Sequence, residues 1–360
     1  MPLFIYSDNI ENNVKKIKEK TNKDIIAVVK SNAYGMGTNK IIPLYKKCGI
    51  NFFAFDKYLE FEKSKQYFSD DLILIMGSTK NELIEKEINP NIRYSVNSLI
   101  DALKVKDIKR PITVHLQFDS GMNRVGIRTI DELKWVISLL KTNELINIEG
   151  LYTHFSSDNL ESKYFAKQVN LFEKCQDIYP FKIIHANATK TLHKKKLGNY
   201  VRVGMALFGY HQPFLDVVPS ISLNVRPCSI FKTTTHDKIG YTQEVNKNTI
   251  GVINLGYSDL DFTQINNLYH KKIPLEKLGK SCMNHTHFIS NDKINYLSWL
   301  SIFPSNDIII GSDDYDWYRM LVSLNKMPKN YIKRRNYDIP KIFKYQRETC
   351  RKLKLRKRSS

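Results

Sequence analysis

Lys30 stands in the part of this sequence whose residue types most clearly suggest chemistry. It follows an apolar, β-branched run at residues 25–29 and precedes a polar, glycine-containing segment at residues 31–37. Such a run predicts a buried strand, so the lysine amine lies where that strand ends. A lysine in this setting can form a Schiff base with a carbonyl compound. From position alone, the alternative is a lysine that merely extends its amine into solvent.

The composition limits the class of protein. The chain has 360 residues, of which 42% are hydrophobic and 11% aromatic, enough for a large core and roughly two domains. No apolar stretch reaches the roughly 20 residues that span a bilayer, and the first residues lack the order of a signal peptide. Five cysteines are scattered without a C-x-x-C pair. We therefore expect a cytoplasmic protein with no metal site, disulfide framework or membrane segment.

The net charge is strongly positive. Lysine and arginine number 56 against 36 acidic residues, which gives +20. Such a charge attracts nucleic acid or anionic surfaces without specificity. The basic residues are spread along the chain, apart from a run at residues 351–358. We expect no specific nucleic-acid partner, although a nucleic-acid anchor in the tail stays open as an alternative.

Short apolar runs alternate with charged, helix-like stretches in the first part of the chain. This alternation predicts eight parallel strands, at residues 24–30, 51–55, 72–76, 92–96, 113–119, 148–155, 182–188 and 200–204. It also predicts helices at residues 57–68, 81–86, 97–106, 129–142 and 161–178. Eight βα units of this length fit a (β/α)8 TIM barrel. The alternative, an open doubly wound sheet, would carry a G-x-G-x-x-G dinucleotide motif, which the sequence lacks.

The pattern changes after residue 212. Three prolines within residues 213–227, and short β-rich runs at 249–255 and 307–310, replace the strand–helix rhythm. We therefore predict an α/β chain with an N-terminal TIM barrel followed by a mainly β domain. The predicted units are a barrel at 1–212, whose first few residues can join the β domain, the β domain at 213–345, and a basic tail at 346–360.

The barrel prediction places chemistry at the carboxyl ends of the strands. Five side chains suited to an anionic, electron-poor ring lie at or just after predicted strand ends: Lys30, Arg124, His154, Asn187 and Arg202. Their convergence on one mouth is a stronger indication than any single motif. The alternative for each residue is ordinary packing or a salt bridge at the barrel rim.

Seven segments of the sequence resemble motifs of the alanine racemase family. They occur in the family's order and extend over nearly the whole chain. They are VVKSNAYG at 28–35, VHLQFDSGMNRVG at 114–126, GLYTHF at 150–155, VRVGMALFG at 201–209, LGYSD at 255–259, GKSCM at 279–283 and YDIPK at 337–341. The family's architecture is a barrel followed by a β domain, in agreement with the pattern described above.

The resemblance implies a pyridoxal-phosphate-dependent amino-acid racemase that interconverts L- and D-alanine and supplies D-alanine for peptidoglycan. Racemisation requires one group to remove a proton from one face of Cα and another to return a proton to the opposite face. Lys30 would hold the cofactor and serve one face. Tyr257 would serve the other face from the partner subunit of a head-to-tail homodimer.

The resemblance also implies roles for the remaining site residues. Arg202 would donate a hydrogen bond to the ring nitrogen without releasing its proton, and His154 would pack on the ring and hydrogen-bond toward Arg202. Arg124 would bind the substrate carboxylate bidentately, together with the backbone N–H of Met283 from the partner subunit. The phosphate would be bound by Tyr34, Asn187, Gly204, Met205 and Tyr337.

Four positions depart from the family's pattern. Gln117 stands where the family has a carbamate-modified lysine that orients the carboxylate-binding arginine, and Ala188 where it has a phosphate-binding serine. Leu260 replaces a glycine and Asn284 an aspartate. Two alternatives therefore stay open, a racemase of serine or a basic amino acid, and a weakly active cofactor-binding protein with a regulatory role.

Overall fold

The structure is a computed structural model that describes residues 3–156, 161–192, 197–210, 215–241, 243–271, 273–303 and 317–333. The strands in these ranges are β1 (Leu3–Tyr6), β2 (Asp24–Val28), β3 (Phe52–Phe55), β4 (Leu72–Ile75), β5 (Ile92–Val96), β6 (Ile112–Gln117), β7 (Ile146–Tyr152), β8 (Ile183–His185), β9 (Tyr200–Val203), β10 (Ile221–Val225), β11 (Pro227–Lys232), β12 (Asp237–Ile239), β13 (Gln243–Val245), β14 (Thr249–Ile253), β15 (Asn267–His270), β16 (Ile273–Leu278), β17 (Thr286–Ile289), β18 (Leu300–Ser301) and β19 (Lys329–Ile332). The helices are α1 (Ser7–Thr21), α2 (Lys30–Tyr34), α3 (Thr38–Lys47), α4 (Tyr58–Glu62), α5 (Asn81–Lys86), α6 (Leu99–Val105), α7 (Ile130–Leu140), α8 (Lys163–Gln176) and α9 (Trp317–Ser323).

Eight strands form a nearly closed parallel barrel, in the order β8-β7-β6-β5-β4-β3-β2-β9. Single bridges, Ala188 with Arg202 and His185 with Gly198, join the two end strands. Strands such as β3 are buried at every residue, as expected for a parallel sheet covered by helices. All eight predicted strands are present. The predicted TIM barrel followed by a mainly β domain is confirmed.

The second large sheet has nine strands, in the order β11-β14-β17-β16-β15-β18-β10-β1-β19. Strand β1 belongs to this sheet, where it pairs antiparallel with β10 and parallel with β19. The chain therefore begins in the nine-stranded sheet, enters the barrel and returns. The predicted division near residue 212 stays a prediction.

Helix α1, which sequence reasoning did not locate, joins the two parts of the chain. Its apolar residues Ile10, Val14 and Ile17 are buried. Its Asn13 side chain is fully buried, donates to the carbonyl of Val218 at 2.8 Å and accepts from the N–H of the same residue at 2.8 Å. A buried amide with paired hydrogen bonds fixes the segment that leaves the barrel.

Some predictions lie outside the described residues. They are the strand at 307–310, Tyr337 and the basic tail. Within the described ranges, no helix has both the length and the apolar character needed to cross a membrane.

Candidate active site

The segment labelled α2 begins at Lys30, two residues after the end of β2, and is a left-handed turn rather than a regular helix. The next three residues, Ser31, Asn32 and Ala33, have φ of 53° to 55° and ψ of 48° to 53°, and Tyr34 has φ of 55°. Each residue other than glycine in this left-handed conformation costs about 1–2 kcal/mol of backbone strain. Strain of this kind persists where surrounding contacts enforce it, and it concentrates at functional sites.

Hydrogen bonds hold the turn in this conformation. The N–H of Ser31 donates to the Glu60 carboxylate at 3.0 Å, and the N–H of Ala33 donates to the Val29 carbonyl at 2.9 Å. The Asn32 side chain donates to that of Asn325 at 2.8 Å. The turn thereby keeps Lys30, which is partly buried, at the carboxyl end of β2.

The same turn packs Tyr34 against the backbone of Gly204. A Cβ at position 204 would lie 2.1 Å from the Tyr34 hydroxyl oxygen, so only glycine fits there. Burial, and to a smaller extent Tyr318, raise the pKa of Tyr34, which keeps its hydroxyl protonated. Met205, the residue after Gly204, is fully buried.

Arg202 lies on β9 with only 4% of its surface exposed. Its Nη1 donates to the Nδ1 and carbonyl of His185, the first at 2.8 Å, and its Nη2 donates to the Thr153 carbonyl at 2.5 Å. Burial is the main cause that lowers the pKa of Arg202 to about 10. The guanidinium therefore remains charged at neutral pH. The imidazole that hydrogen-bonds to Arg202 is that of His185, whereas the resemblance implied His154.

His154 follows β7 and is partly buried. Burial, followed by the charges of Arg202, Arg124 and Lys30, lowers the pKa of His154 to about 3. The imidazole is therefore neutral at physiological pH. Arg202, Arg124 and Lys30 are therefore close enough to act on His154 through their charge, and the site that these residues would form together stays a prediction.

Asn187, the fifth mouth residue, is 3% exposed. Its side-chain amide donates to the Thr191 carbonyl at 2.9 Å, and its own carbonyl accepts from the Arg202 N–H at 2.9 Å. The backbone bond fixes Asn187 beside Arg202. Ala188, which carries no hydroxyl, follows it and bridges to the same arginine.

Arg124 lies on a loop organised by a single carboxylate. Asp119 accepts hydrogen bonds from the N–H groups of Gly121, Asn123 and Arg124, each at 3.0 Å. The Arg124 residue is exposed. Asp119 thus shapes the loop while the arginine side chain extends from it.

Gln117 supports this loop from inside the barrel. Its amide nitrogen donates to the Val125 carbonyl at 2.9 Å, and its amide oxygen accepts from the Tyr152 hydroxyl at 2.8 Å. Both ends of the Gln117 side chain are therefore committed to fixed partners. Gln117 therefore restrains the backbone next to Arg124. The family's modified lysine at this position instead orients the arginine side chain.

Tyr257 and Met283 lie together in the nine-stranded-sheet part of the chain, at 57% and 55% exposure. The Tyr257 N–H donates to the Cys282 carbonyl at 3.1 Å, and the Ser258 N–H donates to the Met283 carbonyl at 3.0 Å. Two large, adjacent and exposed side chains form a surface that another molecule can contact.

The other two positions that differ from the family's pattern, Leu260 and Asn284, also have neighbours in the structure that account for them. Leu260 is 2% exposed and belongs to the main apolar core. The Asn284 side chain donates to the Ser258 hydroxyl at 2.9 Å. Leu260 and Asn284 therefore both make contacts within the segments that carry Tyr257 and Met283.

Sequence reasoning missed four polar residues behind the mouth, the buried His115, Tyr152 and His185 and the partly buried Glu149. His115 and Glu149 are ionisable residues inside strands β6 and β7, which is the signal that could have identified them. No cluster with the composition of a metal site occurs among the residues that the structure describes.

Comparison with known proteins agrees with this geometry. The family model described as alanine racemase, N-terminal domain, matches residues 5–212. An alanine racemase of Listeria monocytogenes serotype 4a (strain HCC23) is 28% identical over 271 residues, which cover 70% of this chain and 72% of that protein.

Two solved structures share the fold of this chain. One is an alanine racemase from Bacillus anthracis with bound L-Ala-P, with a TM-score of 0.78, 23% identity and coverage of 94% of this chain and 96% of that chain. The other is a histidine racemase from Leuconostoc mesenteroides subsp. sake NBRC 102480, with a TM-score of 0.73, 20% identity and coverage of 93% and 98%.

We expect the buried imidazoles to make the protein sensitive to mild acid. Burial is the main cause that lowers the pKa values of His115, His154 and His185, so the folded chain leaves them neutral. Below about pH 6.5 the unfolded chain protonates them. The free energy of unfolding should then fall by about 1.4 kcal/mol per imidazole for each pH unit.

Urea unfolding between about pH 7 and pH 5 measures this slope. Burial disfavours ionised Glu149, but hydrogen bonds from His115 and Arg93 outweigh it and lower its pKa to about 2, so this carboxylate adds a loss only below about pH 4.5. In the variant His154→Gln, the free energy of unfolding should depend less steeply on pH, by the contribution of one imidazole. A stability that is flat down to about pH 5 would contradict neutral buried imidazoles.

Proposed function

This chain belongs to the alanine racemase family, and from that premise we propose that it is a pyridoxal-phosphate-dependent racemase that interconverts L- and D-alanine. The observation that carries the proposal is that Lys30, Arg124, His154, Asn187 and Arg202 all lie at or after the carboxyl ends of barrel strands, with the charges of Arg202, Arg124 and Lys30 close enough to lower the pKa of His154. A lysine amine beside two guanidinium groups suits a ligand that has both a carbonyl and anionic groups.

The residues at the mouth fit this cofactor. The Tyr34 hydroxyl packs directly against Gly204, where a Cβ would lie 2.1 Å from its oxygen, so a hydroxyl donor lies beside the Gly204 backbone. Glycine also lets a phosphate approach the backbone. Loops after the last barrel strands are a recurrent phosphate site. We assign phosphate binding to Tyr34, Asn187, Gly204 and Met205. Tyr337, which lies outside the described residues, completes the proposed set.

When bound, pyridoxal phosphate supplies a conjugated ring that makes the Cα–H bond of an attached amino acid more acidic. Lys30 holds it covalently. Arg202 donates a hydrogen bond to the ring nitrogen and keeps its own proton, because its pKa of about 10 lies well above neutrality. An arginine at this nitrogen limits how far charge spreads into the ring, which favours racemisation over transamination.

Proton transfer requires a group on each face of Cα. We assign one face to the Lys30 amine and the other to the hydroxyl of Tyr257 of the partner subunit, in a head-to-tail homodimer. The 57% exposure of Tyr257 and the 55% exposure of Met283 in a single chain support this assignment. Arg124 and the backbone N–H of Met283 of the partner subunit bind the substrate carboxylate.

A racemase of another amino acid is the second candidate. It is favoured by Gln117, which holds the backbone at Val125 and so leaves Arg124 without the neighbouring charge that the family's carbamate provides. A basic substrate is less favourable than serine, since Lys30, Arg124, Arg202 and Lys190 already lower the pKa of His154 by their positive charge. Like charges at such a site repel a cationic side chain.

Other parts of the functional hypothesis follow from this assignment. A supply of D-alanine for peptidoglycan and a location in the cytoplasm remain predictions. The weakly active, regulatory alternative makes the same cofactor contacts but predicts no substantial turnover.

Racemisation of purified, cofactor-loaded protein tests the proposed function. Added L-alanine should convert to D-alanine until the two enantiomers are equal, and alanine should react faster than serine, lysine or arginine. Chiral chromatography of the product follows the reaction. A faster rate with serine would favour the second candidate, and the absence of any D-amino acid across the panel would refute racemase activity.

Complementation tests whether Tyr257 acts across a subunit interface. Lys30→Ala and Tyr257→Phe should each have very low activity. A dimer with one chain of each variant has one site in which both Lys30 and Tyr257 are intact and one site in which neither is. Random exchange of equal amounts makes about half of the dimers mixed, so roughly a quarter of normal activity should return.

The matched control is Tyr296→Phe, since Tyr296 is 55% exposed in the same β part of the chain. This variant should keep normal activity. If Tyr257 served its own subunit, no mixed dimer would hold a complete pair, and mixing would restore nothing.

A further inference from the structure

A chain of hydrogen bonds runs from Arg202 through the barrel interior. Nη1 of Arg202 lies 2.8 Å from Nδ1 of His185, and Nε2 of His185 lies 2.9 Å from Nδ1 of His115. Nε2 of His115 lies 3.0 Å from the Glu149 carboxylate, which Arg93 binds bidentately at 2.9 and 3.1 Å. The five residues therefore form one continuous path.

The barrel is shaped to hold this path. A Cβ at Gly150 would lie 2.6 Å from the His115 ring, so glycine at that position makes room for the imidazole. The pairing of β6 with β7 also shifts register between Val114 and His115. The Tyr152 ring stacks on His185 with centroids 4.7 Å apart and an interplanar angle of 9°. Both imidazoles are fully buried.

The two ends of the path set its direction. A guanidinium can only donate hydrogen bonds and an ionised carboxylate can only accept them. Nδ1 of His185 must therefore accept from Arg202, and Nε2 of His115 must donate to Glu149. The bond between the rings is then consistent only if both are neutral and both carry their proton on Nε2. Burial lowers the pKa of each imidazole, which agrees with the neutral state.

We propose that His185, His115 and Glu149 are positioning residues for Arg202, with the carboxylate selecting the imidazole tautomer that holds the guanidinium in one orientation. Arg202 has five N–H donors. Two of them donate to His185 and one to the Thr153 carbonyl, which leaves two for other partners. This inference rests on the proposed function, in which one remaining N–H binds the ring nitrogen.

The role of the Glu149 charge can be separated from its shape. A glutamine at position 149 can donate as well as accept. It therefore allows both imidazoles to move their proton to Nδ1, where the His185 N–H would face the donors of Arg202. The guanidinium would then lose one partner and gain freedom to rotate. Glu149→Asp keeps an acceptor-only end and should retain the native tautomers.

The first test uses the purified full-length chain labelled with ¹⁵N-histidine and ¹⁵N-arginine, before cofactor is added. The native His115 and His185 signals should show the Nε2–H tautomer, and Arg202 should show hindered rotation of its guanidinium. Signals are assigned by their loss in His115→Gln, His185→Gln and Arg202→Lys. Glu149→Gln should introduce the Nδ1–H tautomer and faster rotation, and Glu149→Asp should not.

The second test uses cofactor-loaded protein and L-alanine, and it measures the initial rate of pyruvate formation relative to that of D-alanine. Each pyruvate leaves its amino group on one cofactor as pyridoxamine phosphate, so at most one pyruvate forms per loaded chain. A misdirected Arg202 should raise this ratio roughly tenfold in Glu149→Gln, the effect of one lost buried hydrogen bond. A purely structural role would lower both products without changing the ratio. The matched control is Asp71→Asn, which neutralises the carboxylate of the Lys46–Asp71 pair, at 2.7 Å, and should leave the ratio unchanged.

The outcomes distinguish this inference from the proposed function. An Nδ1–H tautomer in the native chain, or unchanged tautomers and guanidinium rotation in Glu149→Gln, would overturn the positioning role even if the protein racemises alanine. If the native tautomers and hindered rotation are found but no turnover occurs, the positioning of Arg202 stands and the proposed function fails. Should Glu149→Gln not fold, the native signals and Glu149→Asp still decide the tautomer assignment.

Discussion

The buried guanidinium of Arg202 is the constraint on which the rest of the barrel mouth depends. A charged group with 4% exposure is costly unless its donors are hydrogen-bonded. The barrel meets this requirement with two carbonyls and an imidazole. Those partners come from β8 and from the residue after β7, so the position of Arg202 depends on the register of neighbouring strands.

Positive charge near His154 is a second feature of the mouth. Lys30, Arg124 and Lys190 act on the same imidazole, His154. A site with this many cations and a neutral imidazole is prepared for anions, which agrees with a phosphate and a carboxylate as ligands. The strained turn after Lys30 adds a second constraint, because its left-handed backbone is maintained by contacts with Glu60 and Asn325.

Sequence patterns were sufficient to predict the barrel. Apolar, β-branched runs located all eight strands, because parallel strands buried on both faces carry a strong and continuous signal. Helix α1 was missed although Ile10, Val14 and Ile17 have helical spacing, since the surrounding residues are mostly polar. Helix α3 was also missed, and it contains Pro43, which ordinarily argues against a helix interior.

The site was harder to predict from the sequence than the fold. Motif resemblance supplied Arg202 but paired it with His154, whereas tertiary packing gives it His185. The left-handed turn has no glycine among its first four positions, so local propensity gives no indication of it. The path from Arg202 to Glu149 joins residues on four strands, and such contacts depend on barrel closure rather than on local sequence.

The most direct test of the account is the covalent attachment of pyridoxal phosphate to the barrel mouth. Purified protein is incubated with the cofactor, reduced with borohydride, digested and analysed by mass spectrometry. The account predicts one reduced adduct per chain, on Lys30, and its loss in Lys30→Ala but not in Lys40→Ala, a variant of an exposed lysine nearby. The absence of an adduct, or an adduct on another lysine, would contradict it.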